Sequence, residues 1–233
     1  MNWDWSVIWQ YYPRLLEGAW LTLELVFLSG VVGLLLAVPL ALMRASSQPA
    51  LKGLAYGYIF FFRGTPLLVQ IFLIYYGASQ FDWVKESLLW PVLKEPYWCA
   101  IIAFTMNTAA YTAELIRGAI QAIPTGEIEV ARALGMSRTT LTRRIVLPRA
   151  FGIVLPAYSN EVLLMLKSSA LASTITLLDI TGMARTVIAR TYTPLEIFFA
   201  AGMIYLVMAA VLLGAFRLAE SRINRHKYIR REA

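Results

Sequence analysis

The sequence predicts an all-α protein that crosses a lipid bilayer several times, and three observations carry that prediction. Hydrophobic residues make up 59% of the chain and charged ones only 15%, whereas a soluble domain is about one quarter charged. Four stretches, Leu25–Met43, Gly64–Phe81, Pro96–Ala113 and Ile197–Phe216, contain no Asp, Glu, Lys or Arg. Each has about the length of the roughly 20-residue helix that spans a hydrocarbon core. The apolar runs do not alternate with period 2, so helices rather than barrel strands must satisfy their backbone in lipid.

Taken in order, the segment Met1–Tyr12 has no basic residue and so lacks the n-region of a cleavable signal peptide. Its Trp3, Trp5 and Trp9 read as an interfacial anchor. A first span is expected at about 20–43, with Glu24 near enough to its start to reach the outer interface. A second, at about 56–80, is interrupted by Arg63-Gly64-Thr65-Pro66, and Pro66 should kink it. A third is expected at 96–116. A fourth, at 150–176, is apolar but carries Glu161 and Lys167, which must face protein or water. A fifth follows at 195–217. The whole chain, 1–233, then forms one transmembrane domain, with a polar loop at about 117–149 as its longest connection.

Five spans place the termini on opposite sides. Arg117, Arg132, Arg138, Arg143, Arg144 and Arg149 crowd the third loop, and Arg217, Arg222, Arg225, Lys227, Arg230 and Arg231 crowd the tail. Arg44 and Lys52 share that side, whereas the other side holds only Arg14, Lys85, Lys94, Arg185 and Arg190. The positive-inside rule puts the N-terminus outside and the C-terminus in the cytoplasm. The net charge of +7 is therefore a topology signal and not a nucleic-acid one. At membrane depth Arg63 and Lys167 balance Glu24 and Glu161.

One cysteine, Cys99, and one histidine, His226, are too few for a disulfide scaffold, a metal centre or a Ser-His hydrolase. No Gly-x4-Gly-Lys-Ser/Thr loop is present to bind a nucleotide. A membrane-embedded enzyme has no catalytic constellation to use, and no catalytic residue is expected. An ion-coupled carrier should show an inverted repeat and charged relays in several spans, and neither is visible.

The third loop is patterned. In Pro124-Thr125-Gly126-Glu127-Ile128-Glu129-Val130-Ala131-Arg132-Ala133-Leu134-Gly135, Glu127 and Glu129 open a helix where its dipole favours anions. Ile128, Ala131 and Leu134 fall on one apolar stripe, and Gly135 is a natural stop. Ser137 can cap a second short helix ending before Pro148. From pattern alone such a hairpin fits a lipid surface or a protein partner equally.

Glu161 is a functional candidate because a carboxylate at membrane depth is costly. It can meet a cationic substrate or pair with Lys167. Six residues of helix separate these two by about 9 Å of rise and put them on different faces, so a direct pair needs a break near Ser168 and Ser169. The hydroxyl-rich stretch from Lys167 to Thr174 can hold a carboxylate or serve helix packing. Asn107, Thr108 and Thr112 suit interhelical hydrogen bonds. Arg63 can snorkel or pair with Glu114 or Glu161.

The spacing Glu129-Val130-Ala131, three residues, Gly135, nine residues, Ile145-Val146-Leu147-Pro148 resembles the EAA loop of ABC importer permeases, with Val130 in place of the middle alanine. Phe62–Gln70, Asn107–Glu114, Leu155–Val162 and Thr176–Gly182 are similar to segments of the polar amino-acid branch, M-type subunits for histidine, arginine and ornithine. The resemblance covers about Leu15 to Ser221. It implies a type I importer permease fold with cytoplasmic coupling helices, in which Glu129, Ala131, Leu134 and Gly135 would contact a partner ATPase. It further implies a bacterial inner-membrane location, a periplasmic binding protein and a second, different permease. ATP and magnesium would be held by the ATPase and no cofactor by this chain. The implied cargo is a basic amino acid (arginine, ornithine, histidine or lysine), or alternatively another polar amino acid or an opine. Substrate would meet Glu161 with Asn160, Lys167, Ser168 and Ser169, and Arg63-Gly64-Thr65-Pro66 would be a structural motif.

Overall fold

The computed structural model describes residues 3–223. The basic tail beyond Ile223, His226 included, lies outside the described residues. These are helical almost throughout, with no strand among them. In chain order they form α1 (Trp5–Arg44), α2 (Pro49–Gly64), α3 (Leu67–Phe72, running into a π turn, Leu73–Gly77), two single-turn helices α4 (Asp82–Lys85) and α5 (Trp90–Leu93), and α6 (Pro96–Gln121). There follow α7 (Thr125–Ala133), α8 (Arg138–Leu141, then a π turn, Thr142–Val146), α9 (Leu147–Ser168, then a 3₁₀ stretch, Ser169–Ile175), α10 (Ile180–Thr191) and α11 (Pro194–Ile223).

Three of these helices, α1, α6 and α11, are long and apolar enough to cross a membrane alone. Two bent pairs qualify only together: α2 with α3, bent by 103°, and the α8–α9 stretch with α10, bent by 49°. The described residues thus offer three to five crossings. The first helix is longer than the expected span because Asp4 accepts a hydrogen bond from the Ser6 amide at 2.9 Å and caps it there. The tryptophan segment is consequently the first turns of α1, and Trp3 packs edge-on to Phe199 of α11 at 5.5 Å.

Helix α6 is the hub. Its apolar stretch is 67% buried, against 39% for α1 and 22% for α11. Lipid supplies no hydrophobic force between helices, so close approach rests on small side chains. The sequence provides them: Gly33, Ala37 and Ala41 on α1 face Ala109, Ala110 and Ala113 on α6, and all five alanines are fully buried. A Cβ on Gly33 would run into the Thr108 methyl.

At the other end of α1, Gly18 lies against the start of α10. Asp179 is fully buried there, caps α10 by accepting from the Thr181 and Gly182 amides at 3.2 and 3.0 Å, and accepts from the Tyr205 hydroxyl at 3.2 Å. A Cβ on Gly18 would sit 2.8 Å from the Asp179 carbonyl, and backbone cannot rotate out of the way. Gly18→Ala is expected to cost about 1–3 kcal/mol, read as a lower melting midpoint in detergent. Gly53→Ala, whose Cβ meets nothing within 4 Å, should leave the midpoint unchanged.

The expected second loop helix does not end before Pro148. Ser137 does cap α8, accepting from the Thr140 amide at 3.3 Å. The chain then runs through the π turn straight into α9, where Pro148 occupies the first turn. The extra residue of the π turn lets the backbone pass without a stop.

Candidate functional site: a polar cavity and a coupling loop

The break between α2 and α3 begins with Pro66. A residue before proline is driven out of the helical region, and Thr65 is extended at φ −112, ψ 143. The bend strands the last carbonyls of α2, which in a membrane interior must find donors. Thr65 answers Phe61 O with its amide at 3.1 Å and its hydroxyl at 2.8 Å. Gln70, 2% exposed, turns its Nε2 back to Phe62 O at 2.9 Å and Thr65 O at 3.0 Å. Asn107 of α6 donates to Gln70 Oε1 at 3.0 Å and to Phe62 O at 3.3 Å.

The interruption is therefore a fixed corner stitched to α6. Replacing Gln70 by leucine removes the donor for Thr65 O, one of the two donors for Phe62 O, and the acceptor for Asn107. It is expected to cost about 1–3 kcal/mol for each polar group left buried and unpaired, again read by melting in detergent. An unchanged midpoint would mean that water takes over these bonds.

The corner forms one wall of a cavity of about 490 Å³. Its residues come from three elements. Arg63, Gly64, Thr65, Pro66 and Leu67 supply the corner. Phe104, Asn107, Thr108 and Tyr111 of α6, spaced i, i+3, i+4, i+7, present one helical face. Glu161, Leu164, Met165 and Ser168 of α9 repeat that spacing and present another. The Arg63 guanidinium lies over the Tyr111 ring, 5.0 Å from its centroid. Arg63, Thr108 and Glu161 share the walls of one cavity. The cavity thus holds one anion, one cation, hydroxyls and an aromatic face, enough to receive a small zwitterion.

Of the sequence candidates, Glu161, Ser168 and the whole Arg63–Pro66 motif line this cavity, whereas Asn160, Lys167 and Ser169 do not. Asn160 and Lys167 are exposed elsewhere on α9, and Lys167 makes no ion pair with Glu161 among the described residues. Ser169 is buried and donates to Leu166 O at 2.7 Å, in the change from α to 3₁₀ winding. Asn107, Thr108 and Tyr111 belong to the cavity although sequence reasoning assigned the first two to packing. The four-residue face on α6 was the available signal.

The loop helix α7 ends as its glycine demands. Gly135 has φ +73. Its amide donates to Arg132 O at 2.9 Å, and the Met136 amide donates to Ala131 O at 3.2 Å, the bonding pattern of a Schellman stop. The expected single stripe is split. Ala131 is buried in a cluster with Leu141 and Val146, whereas Leu134 is 73% exposed and Glu129, Val130 and Gly135 are exposed with it. With Gly135 closing the helix, Leu134 turns away from the Ala131 side. The result is an acidic and apolar surface aimed outward on a helix anchored inward. A second anchor joins α7 to the start of α9, where Arg149 donates to Glu127 in a two-pronged ion pair. The hydrogen bond from Arg149 holds the Glu127 carboxyl below its ordinary range. The clamp is therefore intact at neutral pH and lost only as pH falls through that lowered value.

A helical membrane bundle with a half-open polar cavity at a broken helix, and a rigid helix presented at one end, defines a transport subunit driven through a partner. The chain belongs to the family of binding-protein-dependent transport system inner membrane components, matched over residues 30–225. It is 53% identical to the octopine transport system permease protein OccM of Rhizobium meliloti, over 94% of this chain and 90% of that one. It is 46% identical to the arginine ABC transporter permease protein ArtM of Escherichia coli K12 (91% and 96% covered). With the histidine/lysine/arginine/ornithine permease protein HisM of Salmonella typhimurium it shares 42% (95% and 97% covered). Among solved structures it resembles an amino acid ABC transporter crystallised with histidines, with a TM-score of 0.84 and 36% identity, covering 95% of this chain and all of that one. The methionine transporter MetNI, at 17% identity and a TM-score of 0.79, shares the fold alone. The chain is thus a multi-pass permease subunit of an ABC amino-acid importer in the inner membrane, with ATP hydrolysis the task of a partner ATPase and substrate brought by a binding protein.

Proposed function

We propose that this permease carries a basic amino acid, arginine foremost, and that Glu161 is the anion that receives the substrate cation. The observation that carries this reading is the Glu161 carboxylate on the wall of a 490 Å³ polar cavity formed by the broken α2–α3 corner and the faces of α6 and α9. An ion pair in such a site is stronger than in bulk water because protein replaces water on part of its surroundings. Ser168, Asn107 and Thr108 supply neutral hydrogen bonds, and Arg63 can take an α-carboxylate. Relatives named for arginine and for histidine, lysine, arginine and ornithine support the same cargo class.

An opine is the second reading. Relatives named for octopine and nopaline are 53% and 49% identical, above those named for arginine and histidine. A cavity holding both Arg63 and Glu161 also suits a ligand with charges of both signs.

In this proposal the coupling surface is Glu129, Leu134 and Gly135, seated on the ATPase, with Ala131 as its buried support. The N-terminus is periplasmic, and α7 and the C-terminus are cytoplasmic. The second permease is a different chain, and nucleotide and magnesium are bound by the ATPase. The test is ATP-dependent uptake by the chain reconstituted with its ATPase, second permease and binding protein. Arginine, ornithine, histidine, octopine, nopaline and glutamine should be compared. Uptake of glutamine with none of arginine, ornithine, histidine or an opine would overturn the assignment.

A further inference from the structure

A second cavity, of about 550 Å³, is a wedge between α1, α9 and α11 and shares no residue with the polar one. On α1 its lining runs from Trp20 through Phe27 to Val31, and Tyr158 of α9 and Phe216 of α11 face it. Tyr158 builds the floor: its hydroxyl donates to Gly30 O at 3.2 Å, and its ring meets Phe216 edge-on at 5.9 Å. The wedge opens to the outside of the helices, where Trp20 is 72% and Phe27 69% exposed. The eleven residues from Trp20 to Val31 make about 16 Å of helix, close to the depth of one leaflet of a roughly 30 Å hydrocarbon core.

Among the described residues, the one charged group in this lining is Glu24. Glu24 immediately precedes the charge-free run Leu25–Met43. Tyr97, which donates to its Oε1 at 2.8 Å, lies in the first turn of α6. Both therefore mark the edge of the hydrocarbon, with Trp20 beside them at headgroup level. No basic residue lines the wedge, and among the described residues Glu24 makes no ion pair within 4 Å. A carboxylate without a counter-ion thus stands at the mouth of an apolar trough about one leaflet deep.

We infer that the wedge seats a phospholipid with a primary ammonium headgroup, phosphatidylethanolamine, with its ammonium on Glu24 and one acyl chain in the trough. The trough alone selects nothing, because lipid tails are as apolar as its lining and gain only packing. Selection rests on the headgroup. A primary ammonium has N–H groups to donate to the carboxylate in a charge-assisted hydrogen bond. The trimethylammonium of phosphatidylcholine has none, and the anionic headgroup of phosphatidylglycerol is repelled. In the orientation proposed above, the lipid belongs to the periplasmic leaflet.

The test uses the full complex of both permeases and the ATPase in detergent, loaded with radiolabelled phosphatidylethanolamine and challenged with unlabelled lipids. Unlabelled phosphatidylethanolamine should displace the label at least about tenfold better than phosphatidylcholine or phosphatidylglycerol, the factor that one charge-assisted hydrogen bond supplies. In Glu24→Gln, where Tyr97 keeps an oxygen to donate to, that preference should disappear with the complex still assembled. Val31→Trp fills the trough from a site 43% exposed and should release the label with Glu24 intact. Absence of a displaceable label, equal displacement by the three lipids, or a preference that survives Glu24→Gln would overturn the assignment. So would a Val31→Trp chain that retains the label, or one that no longer joins the second permease, since that partner would then be what covers the wedge. The native competition and Val31→Trp decide the matter even where Glu24→Gln fails to assemble.

Discussion

Gly135→Asp is expected to abolish uptake and substrate-stimulated ATPase activity while leaving the permease in the membrane at its normal level. The reasoning turns on where the substituent would go. Gly135 sits at φ +73, and its Cβ position meets nothing of this chain within 4 Å. A side chain there costs about 1–2 kcal/mol for the left-handed backbone. It costs a further 0.3–1 kcal/mol, roughly, for a carboxylate at the negative end of a helix. Helix α7 survives this, because Ala131 is buried beneath it and Glu127 is clamped to Arg149. The lost function must then come from outside the chain, at the surface of Glu129 and Leu134 where close backbone approach is needed. A loss of about 2.8 kcal/mol of docking energy is a hundredfold in affinity, and uptake should fall by at least that factor. Gly135→Ala carries the same backbone strain without charge or reach, and should fall only severalfold. Equal losses in the two variants would move the cause from the docking surface to the strain. Normal stimulated ATPase activity in Gly135→Asp would remove the glycine from the coupling surface.

The same residues show what a sequence discloses of such a protein. Helix class and the long apolar stretches follow from composition and from charge-free runs, because lipid forbids nearly every alternative backbone. Gly135 is legible for a similar reason: few residues accept a positive φ, so a glycine after an amphipathic helix has few other meanings. Pro66 announced a kink by what it lacks, an amide. At the 103° bend Gln70 and Asn107 reach back to Phe62 and Thr65, and contacts between residues 5, 8 and 45 apart leave no periodic pattern. The cavity was half legible. Glu161 stands out as a charge where charges are costly, but the neutral residues beside it, Asn107 and Thr108, look the same whether they face a ligand or a helix. Lys167 shows the opposite failure. It is as conspicuous in sequence as Glu161, yet the rotation of α9 exposes it away from the cavity, and one helix turn decides that. Leu134 was misplaced because periodicity assumes that the helix continues, and this one stops there.

Glu161→Gln is expected to raise the KM for arginine by at least about tenfold, the equivalent of 1.4 kcal/mol, with little change in assembly. The amide keeps the size of the carboxyl and its place on the wall between Thr108 and Ser168, so packing is not the variable. What changes is the charge of the cavity. With Glu161 ionised, Arg63 is balanced; without it, Arg63 remains alone in the same walls and repels the incoming guanidinium. The single variant therefore loses an attraction and gains a repulsion. Two comparisons separate this from a general injury to the site. Citrulline, the neutral isostere of arginine, should lose far less than arginine does, so the preference between them should shrink. The double variant Glu161→Gln with Arg63→Gln should recover part of the arginine KM, because the unpaired cation is gone. In a thermodynamic cycle the two substitutions then couple, as residues sharing one ligand do. If both substrates fell in equal proportion and the double variant were simply additive, Glu161 would be a residue that shapes the cavity and not the one that reads the charge. Arginine uptake unaltered in Glu161→Gln would place the cationic end of the substrate elsewhere, and the second permease would be the next place to look for its partner.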